Sequence, residues 1–428
     1  MPTDIIAELS WRGLVHQSTD LQQLTPWLLE QTRTLYVGFD PTADSLHVGS
    51  LLPLMILRRF QRCGHRPIAL VGGATGMIGD PSGKSQERNL LSLDTLRANV
   101  AGMERQIARF LDFDDPQSGA KLVNNFDWMS GFSFLEFLRD VGKHFPVNVM
   151  LTKDSVRSRL ERDDAGISYT EFSYMLLQAY DFVHLHRAHG CQLQVGGSDQ
   201  WGNITAGIDL ARRMHGAHLH GMTCPLLLKA DGGKMGKTER GAIWLSAERT
   251  SPYAFYQYWI NVADEDAGTC LRFLTELTRE EIEALDADRV SQPQARSSQR
   301  RLAEALTQLV HGDAGLAAAR KATEIFFGAE ISQLDDRQLS DIFADVPSQT
   351  LPRERLTSGT LGLVDALLES GLSKSKGDAR RSIEQGGAYV NNRRITELTR
   401  ILTPADLASE SVLVLRTGKK NYALLRFE

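Results

Sequence analysis

"TLYVGFDPTADSLHVGSLLPLMILRRFQRCGHRPIALVGG", residues 34–73, decides the fold. TLYVGF (34–39) is an apolar run of strand length, VGSLLPLMILRRFQRCG (48–64) has a helical pattern closed by Gly64, and PIALVGG (67–73) is the next strand. Strand, helix and strand within about 40 residues form a βαβ unit, which builds a parallel sheet. Ligands of such sheets bind beyond the carboxyl ends of the strands, where each strand runs into a helix. The turn PTADSLHVGS (41–50) lies at such an end. A helix N-terminus offers unpaired N–H groups to a phosphate, Thr42 and His47 add donors, and Gly49 lets a flat ring approach the backbone. A plain capping turn made by Thr42, Asp44 and Ser45 is the alternative.

The alternation continues outward. LRANVAGMERQIARFLDF (96–113) is an amphipathic helix and AKLVNNFDW (120–128) a strand and turn. A helix from about Tyr169 to Arg187, a strand CQLQVGG (191–197) and a helix from about Ile204 to His215 follow. The expected fold class is α/β, with a Rossmann-like parallel-sheet catalytic domain over 1–250. Strand signals then disappear, predicting an all-helical domain over 251–343. ADVPSQTLPRERLTSGT (344–360), with two prolines and little periodicity, reads as a linker. A small α+β module closes the chain over 361–428.

Composition narrows the function. The 428 residues are 42% hydrophobic and 24% charged, with no apolar run near the ~18 residues a membrane helix needs. The first residues, MPTDIIAELSWRGLVHQ, lack the basic and apolar regions of a secretory signal, so a cytoplasmic protein without membrane attachment is expected. Cys63, Cys191, Cys224 and Cys270 are scattered, which predicts neither disulfides nor a metal site. Residues 371–428 hold 11 Lys/Arg against 6 Asp/Glu, a net charge of +5 on a chain of −5. A basic end on an acidic body points to a polyanionic partner, a solvated basic surface being the plainer reading.

Four further segments carry polar chemistry. GGATGMIGDPSGKS (72–85) fails the P-loop pattern, because three residues and not four separate Gly79 from Gly83, and its GxxGxxG spacing also fails the dinucleotide fingerprint. What remains is a glycine-rich connection bearing Asp80, Lys84 and Arg88. Tyr174, Gln178 and Asp181 lie at i, i+4 and i+7 on an otherwise apolar helix, so they share one face and must bond to one another or to a polar ligand. VGGSDQWGN (195–203) places Asp199 and Gln200 at another strand end. KADGGKMGKT (229–238) is a glycine-rich loop whose Lys234, Lys237 and Thr238 can close over phosphates.

GFDPTADSLH (38–47), HVGS (47–50), GGATGMIGDPSGKS (72–85), EFSYMLLQAYD (171–181), GGSDQWGNI (196–204) and KMGKT (234–238), in this order, resemble the class I aminoacyl-tRNA synthetases, in their bacterial tyrosine-specific branch. The resemblance covers nearly the whole chain. It implies that tyrosine and ATP, the latter entering with Mg²⁺ and with no tightly bound cofactor, form an adenylate whose tyrosyl group passes to tRNA(Tyr). By this resemblance Thr42, His47, Lys84, Arg88, Lys234, Lys237 and Thr238 serve catalysis at the phosphates. Tyr36 and Asp181 meet the phenol, Asp80, Tyr174 and Gln178 meet the ammonium, and Gln200 lies by the carboxylate. Gly38, Asp40, His47, Gly49, Asp199 and Lys237 hold ATP. The end module resembles RNA-binding modules of ribosomal proteins, which implies phosphate contacts by Lys374, Lys376, Arg380, Arg381, Arg393 and Arg394. A homodimer is implied as well. Ser50 stands where the first signature has its second histidine, and Gly236 where the second has a serine. A nucleotide-dependent phosphotransferase and a non-catalytic RNA-binding relative are the competing readings, the first opposed by the loop spacing.

Overall fold

The computed structural model describes residues 3–80, 91–153, 156–157, 160, 167–238, 241–331, 334–344, 346–418 and 421–428. The chain forms two units, one of residues 1–249 with 262–302 and one of residues 250–261 with 303–428.

In the first unit six strands form one sheet: β1 (Gln17–Ser18), β2 (Thr34–Phe39), β3 (Arg66–Val71), β4 (Lys121–Asn124), β5 (Cys191–Gly197) and β6 (His220–Cys224), in the order β1-β6-β5-β2-β3-β4. Strands β2 to β6 run parallel, whereas β1 pairs antiparallel with β6 through Gln17↔Thr223 and Ser18↔Met222. The expected parallel sheet thus carries a short antiparallel edge. Two residues carry no readable period, so β1 could not be seen in the sequence. The inner strands match their apolar runs, since every residue of β3 after Arg66 is buried. β7 (Lys237–Thr238) and β8 (Gly241–Ala242) form a separate antiparallel pair.

The helices fill the crossovers. α1 (Leu51–Arg62) follows a single 3₁₀ turn, Val48–Ser50, so the expected helix over 48–64 begins one tight turn later. α2 (Leu93–Ile107) starts at Ser92, whose hydroxyl accepts from Thr95 N. α3 (Tyr169–His189) starts at Ser168, whose hydroxyl accepts from Glu171 N, and packs along α4 (Trp201–His215). Phe182 of α3 is fully buried and meets the Tyr36 ring edge-on at 5.3 Å, which fixes the helix face turned to the sheet.

α5 (Asp264–Leu274) is held by two buried arginines. Arg59 of α1 donates to the carbonyls of Phe273 (2.9 Å) and Thr275 (2.8 Å), and Arg12 donates to that of Leu277 (2.8 Å). The bond to Phe273 satisfies a carbonyl of the last turn, and the other two hold the chain just beyond it. Burial first, then the charge of Arg12, lowers the Arg59 pKa to about 9. The helical stretch expected as one body over 251–343 is therefore divided. Residues 262–302 go with the sheet, and 250–261 with the carboxyl-terminal unit. Helical periodicity alone does not say which core a helix joins.

In the second unit β9 (Ser348–Leu351), β10 (Ala388–Val390), β11 (Arg393–Ile395), β12 (Val412–Thr417) and β13 (Asn421–Phe427) form a sheet in the order β11-β10-β12-β13-β9. The expected linker over 344–360 differs from this. Residues 348–351 add a parallel edge strand to β13, and Glu354–Thr357 form a helical turn. Three of the four β9 residues are exposed, so no apolar alternation marked the strand. Against the sheet packs α6 (Lys376–Glu384), with Ala379 and Ile383 in a core shared with Leu413, Leu415 and Leu425.

Candidate active site

A cavity of about 270 Å³ opens in the first unit at the carboxyl ends of β2 and β5, where the topology predicts a ligand. One end is built from Tyr36 and Asp181, both 1% exposed. Asp181 comes from the buried face of α3, and its carboxylate accepts from Trp128 Nε1 (2.9 Å) and Asn125 Nδ2 (3.0 Å). Burial pushes its pKa up to about 7, against the two hydrogen bonds, which favour the charged form. The Tyr36 hydroxyl has no hydrogen-bond partner among the described residues. Its pKa is raised by burial and next by the charge of Asp181. A buried hydroxyl without a partner costs about 1–3 kcal/mol, so a polar ligand atom would relieve it.

The other polar side of the cavity is a chain of amides. Gln200 Nε2 donates to Asp80 Oδ2 (2.7 Å), Gln178 Nε2 donates to Gln200 Oε1 (3.2 Å), and Asn203 Nδ2 donates to Gln178 Oε1 (3.0 Å). Tyr174, Gln178 and Asp181 all line the cavity, as their shared helix face predicts. Gly38, Asp40 and Gly49 line it too, from β2 and the turn that follows. A side chain at Gly49 would meet the His47 ring at 2.8 Å, so glycine is what lets that ring lie over the turn.

Thr42, His47, Asp199, Lys234, Lys237 and Thr238 lie outside the cavity wall, with exposed side chains. The two signature segments are nevertheless joined. Val48 N donates to Ile243 O (2.9 Å), Ile243 N to Gly236 O (2.8 Å), and Leu245 N to Leu46 O (2.8 Å). Gly236 has φ +82°, and a Cβ there would sit 2.6 Å from Val48 Cβ, so only glycine fits between the segments. The His47 pKa is lowered, first by desolvation and then by the charges of Lys237 and Lys234. Lys84 and Arg88 lie outside the described residues.

The sequence reading missed several groups that build the site. Asn125 is fully buried, with Nδ2 bonded to Asp181 and to Thr75 Oγ1 (3.0 Å) and Oδ1 accepting from Ala74 N (2.7 Å). It follows β4 directly, so the rule that ligands sit at strand ends was the available signal. Trp128 and Gln194 carried no motif, whereas Asn203 closes VGGSDQWGN, the segment read for Asp199 and Gln200. Gln194, 3% exposed in the wall, leaves Oε1 unpartnered among the described residues.

In the second unit Lys374, Lys376, Arg380, Arg381, Arg393 and Arg394 are all exposed. Lys376 pairs with Asp365 (2.7 Å), Arg393 with Glu330, and Arg394 Nη2 donates to Gln385 O (3.3 Å). Lys374 and Arg380 have no ion pair among the described residues.

Comparison with known proteins agrees with this geometry. Residues 30–328 match the family "tRNA synthetases class I (W and Y)", and residues 338–425 match a "Tyrosine--tRNA ligase SYY-like C-terminal domain". The chain is 59% identical over 424 residues to the tyrosine–tRNA ligase of Rhodopirellula baltica, covering 99% of this chain and 96% of that one. It is 54% identical over 424 residues to that of Roseiflexus castenholzii, covering 99% of each. Among solved structures, a C-terminally truncated mitochondrial tyrosyl-tRNA synthetase of Aspergillus nidulans aligns with a TM-score of 0.68 at 32% identity, over 76% of this chain and 94% of that one.

Proposed function

Because the chain belongs to the class I tRNA synthetases and, within them, to the tyrosine–tRNA ligases, we propose that it activates tyrosine with ATP and charges tRNA(Tyr) in the cytoplasm. The observation that carries the tyrosine assignment is the Tyr36 hydroxyl, without a partner among the described residues, beside the Asp181 carboxylate in the cavity. A phenol donates to Asp181 and accepts from Tyr36. Sites built to bond a substrate hydroxyl reject the analogue lacking it by about 10⁴- to 10⁵-fold, and tyrosyl-tRNA synthetases are themselves the standing example of that figure.

The substrate ammonium lies against Asp80, Tyr174 and Gln178, whose spacing from Tyr36 and Asp181 sets the amino acid's direction in the cavity. Gln200, already bonded to Asp80, presents its amide to the carboxylate side. Gly38, Asp40, Gly49 and Asp199 take the nucleoside, and Thr42 and His47 the γ-phosphate side. The tyrosine carboxylate is already a nucleophile. The protein's work is to align one carboxylate oxygen in line with the α-phosphorus and to stabilise charge as that bond forms and pyrophosphate leaves. Lys234, Lys237 and Thr238, with Lys84 and Arg88, hold the leaving pyrophosphate, and Mg²⁺ enters with ATP as part of the substrate. The ribose hydroxyl of the tRNA's terminal adenosine then attacks the mixed-anhydride carbonyl, and AMP departs.

The module over 361–428 grips the tRNA backbone through Lys374, Lys376, Arg380, Arg381, Arg393 and Arg394, in keeping with the +5 charge of the last 58 residues. The protein acts as a homodimer. Phe134, Leu135, Leu138, Val147, Val149 and Leu151 are all exposed within 18 residues, an apolar patch that a second copy would cover. Tyrosine alone among the amino acids should stimulate ATP–pyrophosphate exchange. Lys237→Ala should keep tRNA binding while cutting adenylate formation by about 10²-fold or more. An unchanged exchange rate in that variant would overturn the assignment.

A further inference from the structure

A second cavity of about 230 Å³ lies at the opposite ends of the strands, around Thr34, Arg66 and Lys121, the first residues of β2, β3 and β4. The loop through Phe113, Asp115 and Pro116 and the last residue of α3, His189, complete its wall. Three basic side chains from three separate elements, Arg66, Lys121 and His189, thus face one space. Offsetting the carboxyl-terminal dipole of α3 explains His189 but not the other two.

Each of the three is positioned by a neighbour. Arg66 Nε donates to Gln117 O (2.7 Å), which anchors the guanidinium, and Lys121 Nζ lies 3.3 Å from His189 Nδ1. Neither Arg66 nor Lys121 has an ion pair among the described residues. The carboxylate in the wall, Asp115, is engaged by the N–H groups of Gln117 (2.7 Å) and Ser118 (2.8 Å). The His189 pKa is lowered by burial and then by Lys121, which leaves its ring neutral and able to accept from the ammonium. A dianion entering the cavity would meet the remaining Lys121 protons and the guanidinium fork, and would draw a proton onto the imidazole. Arg and Lys in this arrangement match phosphate oxygens, and Pro67, Phe113 and Pro116 give an apolar flank for an organic group.

We propose that this cavity binds a phosphate dianion, free or as a monoester, held by Arg66, Lys121 and His189, separately from the synthetase site. The test follows the His189 ring resonances in the full-length protein, identified by their loss in His189→Gln. Inorganic phosphate, AMP and adenosine are titrated in turn. Phosphate and AMP should shift the ring and adenosine should not. Equal affinities make the site one for free phosphate, whereas tighter AMP binding makes it one for a nucleotide, and both results uphold the proposal. Lys121→Gln and Arg66→Gln should each weaken binding by roughly tenfold while leaving tyrosine-dependent exchange unchanged. A ring that does not respond to phosphate or AMP, or a response that survives in the double variant, overturns it.

Discussion

Tyr36→Phe separates the stability of the empty protein from its function in a way the structure makes quantitative. The hydroxyl is 1% exposed with no partner among the described residues, so the folded protein already bears its desolvation. Deleting it should leave the empty protein at least as stable, and by about 1–3 kcal/mol more stable if the whole penalty is relieved with no cavity cost. Bound tyrosine, by contrast, loses one of its two phenol partners. A neutral hydrogen bond of about 1–1.5 kcal/mol corresponds to roughly a tenfold fall in kcat/KM. Phenylalanine behaves differently. Since the hydroxyl has no partner among the described residues before any substrate arrives, phenylalanine strands no protein bond there, and its kcat/KM should change little. Selectivity then falls about tenfold, all of it through tyrosine. Urea denaturation of the empty protein and pyrophosphate exchange with each amino acid measure the two halves. A less stable empty variant, or a selectivity change carried by phenylalanine, refutes the reasoning.

Three other outcomes follow from the same geometry. Burial lifts Asp181 to about 7, so between about pH 4 and pH 7 the native state keeps a proton that the unfolded chain has released. Its stability contribution is complete below about pH 4 and lost as pH rises through about 7, and the KM for tyrosine, which needs the carboxylate as acceptor, should fall over that rise. The KM for ATP should stay flat, and Asp181→Asn should abolish the tyrosine profile. Gly236→Ala brings a Cβ to 2.6 Å from Val48 Cβ at φ +82°, so it should displace the segment bearing Lys234 and Lys237 and slow exchange by about 10-fold or more, with the KM for tyrosine little changed. Leu135→Asp, at a side chain 76% exposed, should leave the fold intact and shift sedimentation to the monomer.

Much of this was legible because parallel strands buried on both faces leave a continuous apolar run. CQLQVGG and TLYVGF are β5 and β2 to the residue. The polar groups on α3 were legible for a related reason, since Tyr174, Gln178 and Asp181 interrupt an apolar face at helical spacing. The supports of Asp181 were not. Asn125 caps the four-residue helix Phe126–Met129 that holds Trp128, too short to show a period, and the two act through contacts across 56 and 53 positions of sequence. The strand β9 was hidden because its stability comes from pairing with β13, not from burying its own side chains. The placement of α5 was hidden because buried arginines, which composition reads as surface, fix it.

The residues from Ile243 to Leu245 accept from one signature segment, donate to the other, and return to the first through Leu46. Three backbone hydrogen bonds thus tie the two segments, so a displacement of one would strain the other. A chimera that imports one signature from a distant relative should therefore fail until its matching partner and the intervening tripeptide are imported together.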